Sequence, residues 1–121
     1  MTKAALVGLC GAAGALTRYS IAVVIGVRSF PWSTLAINLA GSLALGFVLK
    51  LGVDRGWSDR TIAPIAVGFL GAFTTFSTFS YETFTLVRTD RPIAAAIYVG
   101  VSVGGGLATA AIGYVIASSI T

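Results

Sequence analysis

Gly68-Phe69-Leu70-Gly71-Ala72-Phe73-Thr74-Thr75-Phe76-Ser77-Thr78-Phe79-Ser80-Tyr81-Glu82 decides how the chain is read. The stretch sits inside a long apolar segment, about 61–87, yet carries two Gly, six hydroxyls and an acid. A helix that only faces lipid gains nothing from that composition. Ser and Thr can bond back to helix carbonyls, and Gly weakens helix continuity. Together they predict a broken helix, tolerated at membrane depth only where the loose backbone is buried or wet. Exposed carbonyls at such a break can bind a cation, and half-helix N-termini attract an anion. The competing reading is an intact helix whose hydroxyls satisfy themselves.

Outward from this segment the chain is apolar almost throughout. Of its 121 residues 56% are hydrophobic and 10% charged, whereas a soluble domain has about 25% charged residues. A membrane helix needs roughly 20 mostly apolar residues to cross the hydrocarbon. Four spans are predicted, at about 4–27, 32–51, 61–87 and 93–117, within a single domain covering 1–121. Arg28 to Pro31 form the first turn, Gly52 to Arg60 the most solvated loop, and Arg88 to Arg91 a short connection. Asp90 is placed to cap a helix beginning near Pro92. The fold class is an all-α membrane protein with a break in the third span.

Several function classes fall on composition. The chain has no His, which removes His-based acid–base chemistry and His metal sites. No nucleophile–base pair is recognisable, so an enzyme is not expected. The single Cys10 forms no intrachain disulfide. The net charge of +4 is scattered rather than clustered, so no nucleic-acid partner is expected. Lys3 followed by Ala4 to Leu16 imitates a signal peptide. The apolar pattern resumes after Arg18 and Tyr19, as expected of a first membrane helix.

Charge also bears on topology. Lys3, Lys50, Arg55 and Arg60 fall on one side of a four-span chain, and Arg28, Arg88 and Arg91 on the other. Four against three is hardly an excess, and the positive-inside rule needs one to set orientation. Insertion in both directions and mere small-number balance both fit this count.

Five further groups are candidates for function or packing. Asn38, deep in the second span, offers two amide donors; its plainer role is an interhelical hydrogen bond. Arg18 and Glu82 are costly at depth, which points to function, although snorkelling competes. Tyr98, Ser102 and Gly106 recur every four residues on one face of the fourth span, the first two with hydroxyls. Phe73, Phe76 and Phe79 recur every three residues, which reads either as packing or as ring edges offered to an anion. Ala96, Gly100, Gly104 and Ala108 form a small-residue stripe, suited to close packing within the subunit or between subunits, with a pore constriction as the functional alternative.

Three runs carry a resemblance: Gly14-Ala15-Leu16-Thr17-Arg18-Tyr19, Thr34-Leu35-Ala36-Ile37-Asn38-Leu39 followed by Gly41-Ser42, and above all Gly68 to Ser80. In these the sequence resembles the small bacterial fluoride channels of the Fluc (CrcB) family over nearly its whole length. The resemblance implies a four-helix subunit of the bacterial cytoplasmic membrane, paired antiparallel with an identical copy inserted the other way. It implies passive, chloride-excluding fluoride export through two pores at the dimer interface. Phe76 and Phe79 then match the paired pore phenylalanines, and Asn38 the pore asparagine. Ser77, Thr78, Tyr98 and Ser102 match hydroxyls along the anion path. Glu82 matches an acid near a pore end and Arg18 a basic residue of the first helix. Gly71 and Thr74 match the break whose backbone carbonyls, two from each subunit, enclose a central sodium ion. Gly106 stands where some members have Ser, so the polar track ends at Ser102 or continues through water.

The implied substrate is physically coherent with the residues. A compact, strongly hydrated anion needs replacement donors, which an amide and hydroxyls supply in a dry site. Two rivals come from other transport classes. A proton-coupled fluoride carrier would use Glu82. A small multidrug-type exporter would need an acid in the first span, where this chain has Arg18.

Overall fold

The computed structural model describes residues 1–121. Four helical spans account for nearly all of them: Lys3–Ile25, Trp32–Asp54, Asp59–Arg88 and Pro92–Ile120. The first two are the uninterrupted helices α1 (Lys3–Ile25) and α2 (Trp32–Asp54). Thr2 starts α1 by accepting from the Ala5 N–H at 3.1 Å, as an N-cap does. Pro31 precedes α2, where a missing N–H costs nothing.

The third span is not one helix. It comprises α3 (Asp59–Ala63), a π-helical segment (Pro64–Leu70), the single turn α4 (Gly71–Phe73) and α5 (Phe76–Arg88). The wider π turn follows Pro64, which lacks an N–H, and contains Gly68. Between α4 and α5 the backbone is extended, with φ −81° and ψ 156° at Thr74 and φ −149° and ψ 119° at Thr75. The expected break is therefore present, and the intact-helix alternative does not hold.

The fourth span is α6 (Pro92–Ile120). Asp90 does not cap it; the residue before Pro92 is Arg91, which makes no side-chain cap bond. Asp90 instead ends α5. Its φ is +60°, its N–H donates to the Val87 carbonyl, and the Arg91 N–H donates to the Leu86 carbonyl at 2.8 Å. That is the left-handed Schellman ending, a role Asp and Asn tolerate better than most residues.

Two close helix pairings organise the bundle. In the first, α2 runs against α6, with Gly46 under the Ala110 backbone and Gly113 under that of Leu43; a Cβ at either Gly would overlap main chain. In the second, α1 runs against the first half of the third span, where Gly14 meets the Phe69 backbone and Gly68 meets Val7. Small residues permit such approach, which in lipid supplies the packing energy that a hydrophobic effect cannot. Only 15 of 121 residues are buried, so most apolar side chains face outward, as in a multi-pass membrane protein.

That outward face includes the small-residue stripe. Ala96, Gly100, Gly104 and Ala108 are all exposed, and a Cβ at Gly100 or Gly104 would meet nothing within 4 Å. Packing within the subunit is therefore not their role. The intrachain seam of α6 uses Gly105 and Gly113 instead.

Candidate functional site

The break at Thr74–Thr75 is closed by a neighbour rather than by its own helix. The Thr75 N–H donates to Asn38 Oδ1 at 2.8 Å, and Asn38 Nδ2 donates back to the Thr75 carbonyl at 3.0 Å. A single amide thus replaces two main-chain hydrogen bonds that an unbroken helix would have made. Of the two donors expected from Asn38, one is committed here and one remains. Approach of the break to α2 requires Gly41, since a Cβ there would run into the Thr74 methyl.

Thr75 has a second task. Its Oγ1 accepts from the Thr78 N–H at 3.3 Å and donates to Thr78 Oγ1 at 3.1 Å, starting α5 as an N-cap. Thr75 is not among the candidates the sequence singles out. A Thr three residues before another hydroxyl, ahead of a helical run, was the available signal. The first-turn N–H groups of α5 have no intrahelical acceptor and form the positive end of its dipole.

Arg18 also serves the break. Its Nε donates to the Ala72 carbonyl at 3.0 Å, so its head points into the bundle rather than snorkelling to the interface. The Gly71 carbonyl loses its ordinary partner, because the N–H four residues on belongs to Thr75 and is turned to Asn38. The Thr74 carbonyl accepts no hydrogen bond either, although the Thr74 hydroxyl closes onto Leu70 at 2.9 Å. Two uncommitted main-chain oxygens are donors of the type hard cations take. One chain offers too few of them to enclose an ion. No cluster of three or more His, Cys, Asp or Glu offers a rival metal site.

A cavity of about 310 Å³ opens beside the break, lined by Asn38, Ser42, Gly71, Thr74, Thr75, Phe76, Phe79 and Ser102 among others. No charged side chain lines it. Phe76 is 80% exposed and its ring lies 5.8 Å from that of Phe79. Phe79 in turn lies 5.1 Å from Tyr98. The three-residue Phe spacing does not make one stripe, because the break falls between Phe73 and Phe76. Phe73 is buried and stacks on Phe69 at 5.9 Å; it packs.

The remaining candidates divide. Ser77 and Thr78 sit in the first turn of α5, beside the cavity but outside its lining. Tyr98 is fully buried, and its hydroxyl donates to Glu82 Oε1 at 3.1 Å. Glu82 lines a second cavity of about 350 Å³ toward the α1–α2 turn, together with Arg28, Tyr81 and Thr85. The structure thus brings Asn38, Phe76, Phe79 and Ser102 together around one cavity, and joins Glu82 to that group through Tyr98, which bonds Glu82 and touches Phe79. Gly41 and Ser42 also line the cavity, although in the sequence both stand out only as part of a motif.

The arrangement is a four-span bundle with a broken third helix, braced by an asparagine over a cavity of rings and hydroxyls. The family model for CrcB-like proteins (Camphor Resistance, CrcB) matches residues 5–114. The chain belongs to the CrcB family. It is similar to "Fluoride-specific ion channel FluC 1" of Symbiobacterium thermophilum, 42% identical over 113 residues, covering 89% of this chain and 91% of that one. A relative in Roseiflexus, "Fluoride-specific ion channel FluC", is 46% identical over 101 residues, with 80% and 82% coverage. The Thermus thermophilus relative of the same name is 39% identical over 117 residues, covering 94% of each chain.

Proposed function

We propose that this CrcB protein is a fluoride-selective passive channel that exports fluoride across the bacterial cytoplasmic membrane. The names of its relatives support an ion channel rather than an enzyme. The observation that carries the reading is the Asn38–Thr75 brace, which holds an interrupted helix open on an uncharged cavity. The anion is held by the free Asn38 N–H, the positive end of α5, the Ser102 hydroxyl and the edges of Phe76 and Phe79. These are dipoles rather than cations. They replace hydration without binding so tightly that the ion cannot leave.

The working unit in this proposal is an antiparallel homodimer inserted in both orientations, with two pores along its interface. The near-even count of positive loops is compatible with dual insertion. The exposed Phe76, the exposed Gly71 and the open faces of Gly100 and Gly104 leave room for a second copy. The Gly71 and Thr74 carbonyls of two such copies would supply four oxygens to a central sodium ion, whose role is structural.

The test is fluoride release from liposomes, followed with an electrode while potassium and valinomycin clamp the voltage. Voltage-driven release without a proton gradient, with little chloride release from a parallel set, is the expected result. Flux that required a proton gradient would replace the channel with a coupled carrier working through the Glu82–Tyr98 pair. Absence of fluoride flux from folded protein would remove the assignment.

A further inference from the structure

Hydroxyls inside these spans usually disappear into their own helix. Thr17, Ser20 and Thr83 each donate to the carbonyl four residues back at 2.8 Å, the ordinary solution for Ser and Thr in an apolar helix. Two serines of the cavity beside the break behave differently. Ser102 Oγ is buried without a partner. Ser42 lines the same cavity from α2 and makes no such bond to the Asn38 carbonyl or to any other group.

Their relative placement gives this difference a meaning. On α6 the positions one turn apart are Tyr98, Ser102 and Gly106, so the third lacks a hydroxyl. A Cβ built at Gly106 would lie 3.7 Å from Ser42 Oγ. Ser42 therefore projects from α2 to the level one turn beyond Ser102, about 5.4 Å along the helix. Leu45 on α2 and Val103 on α6 line the same cavity and offer no hydrogen-bond donor from their side chains. An anion leaving Ser102 in that direction meets Ser42 as the next donor.

We propose that Ser42 is a conduction-path residue, its hydroxyl donating to the permeating anion at the step that Gly106 leaves without one. This rests on the fluoride-channel reading and adds a residue to its path. It also accounts for an α6 series that stops short: the donor comes from the neighbouring helix of the tightest pair in the bundle. The α2–α6 contact at Gly46 and Gly113 fixes the height of Ser42 against α6.

The experiment compares initial fluoride efflux from liposomes for the unaltered protein, Ser42→Ala, and Ser42→Ala combined with Gly106→Ser. Matched helix content and elution volume are required of all three. Loss of one hydrogen bond to the ion predicts about a five-fold fall for Ser42→Ala. A serine at 106 has room for its Cβ and returns a hydroxyl to the same level, so the double variant is expected to recover at least about half the original rate. Unchanged efflux in Ser42→Ala would overturn the proposal. A fall that Gly106→Ser does not reverse would also overturn it and assign Ser42 to packing. Failure of the unaltered protein to conduct is seen before any variant is compared, and it overturns the channel reading together with this one.

Discussion

The two halves of the third span share one membrane crossing and solve opposite problems. Before the break, residues 59–73 lie along α1 with backbones nearly touching at Gly14 and Gly68. After it, α5 starts anew from a threonine cap and leans on α6 through Phe79 and Tyr98. The first half is held by close backbone packing with one anchor from Arg18 at its end, the second by its cap and by ring contacts. Helix continuity is surrendered where another element takes over part of what the backbone gives up, and here Asn38 takes over both main-chain groups of Thr75. In hydrocarbon each unsatisfied main-chain group costs several kcal/mol, so the brace is a condition for the break rather than an ornament of it.

The sharpest way to break the contrast is Asn38→Asp. The substitution keeps the acceptor for the Thr75 N–H and sets an anionic oxygen against the Thr75 carbonyl, a cost of about 3 kcal/mol. Fluoride flux is expected to fall about 100-fold, with the helical signal in circular dichroism retained. Normal throughput would remove Asn38 from the site. Gly14→Val attacks the other half. Its side chain overlaps the Phe69 backbone, and overpacking of this kind costs about 2 kcal/mol. The readout is thermal stability in detergent, where a melting curve that does not move would refute the close approach.

Phe79→Ile sharpens the comparison within the second half. It removes the ring that bridges Phe76 and Tyr98, and about ten-fold lower flux is expected from the lost aromatic interaction. The elution volume on size exclusion, that of the proposed dimer, should not change; undiminished flux in such protein would count against a pore role. The smallest effect belongs to Thr75→Ala. Loss of the cap costs about 1 kcal/mol, read as a few degrees in melting temperature, while Asn38 still holds the Thr75 main chain. A loss of folding altogether would show that the cap, not Asn38, secures the break.

Much of this was legible in residue order. Apolar length fixed the four spans, and hydroxyls with Gly marked the break, because both are local properties. The partner of the break was not local. Asn38 was visible as a polar residue at depth, but its commitment to Thr75 needs two spans placed side by side. Arg18 hid its inward direction for the same reason. The Phe73–Phe76–Phe79 spacing misled because a helical period holds only while the helix does. Asp90 misled because an acid two residues before Pro92 suggests a cap, whereas its backbone has already turned left-handed to end the preceding helix. The π segment gave little sign beyond Pro64 and Gly68.

That segment has a consequence of its own for register. A π turn holds one residue more than an α turn would over the same rise, and each residue of an α-helix advances the face by about 100°. Everything from Gly71 onward is therefore wound to an angle that a regular helix begun at Asp59 would miss. Deleting one residue between Pro64 and Leu70 would let the helix regularise. It would turn the Ala72 carbonyl away from Arg18 and the Thr75 main chain away from Asn38, although no residue that touches the cavity's brace had been changed. The composition of 64–70 thus acts as an angular setting for the two spans that meet at the break.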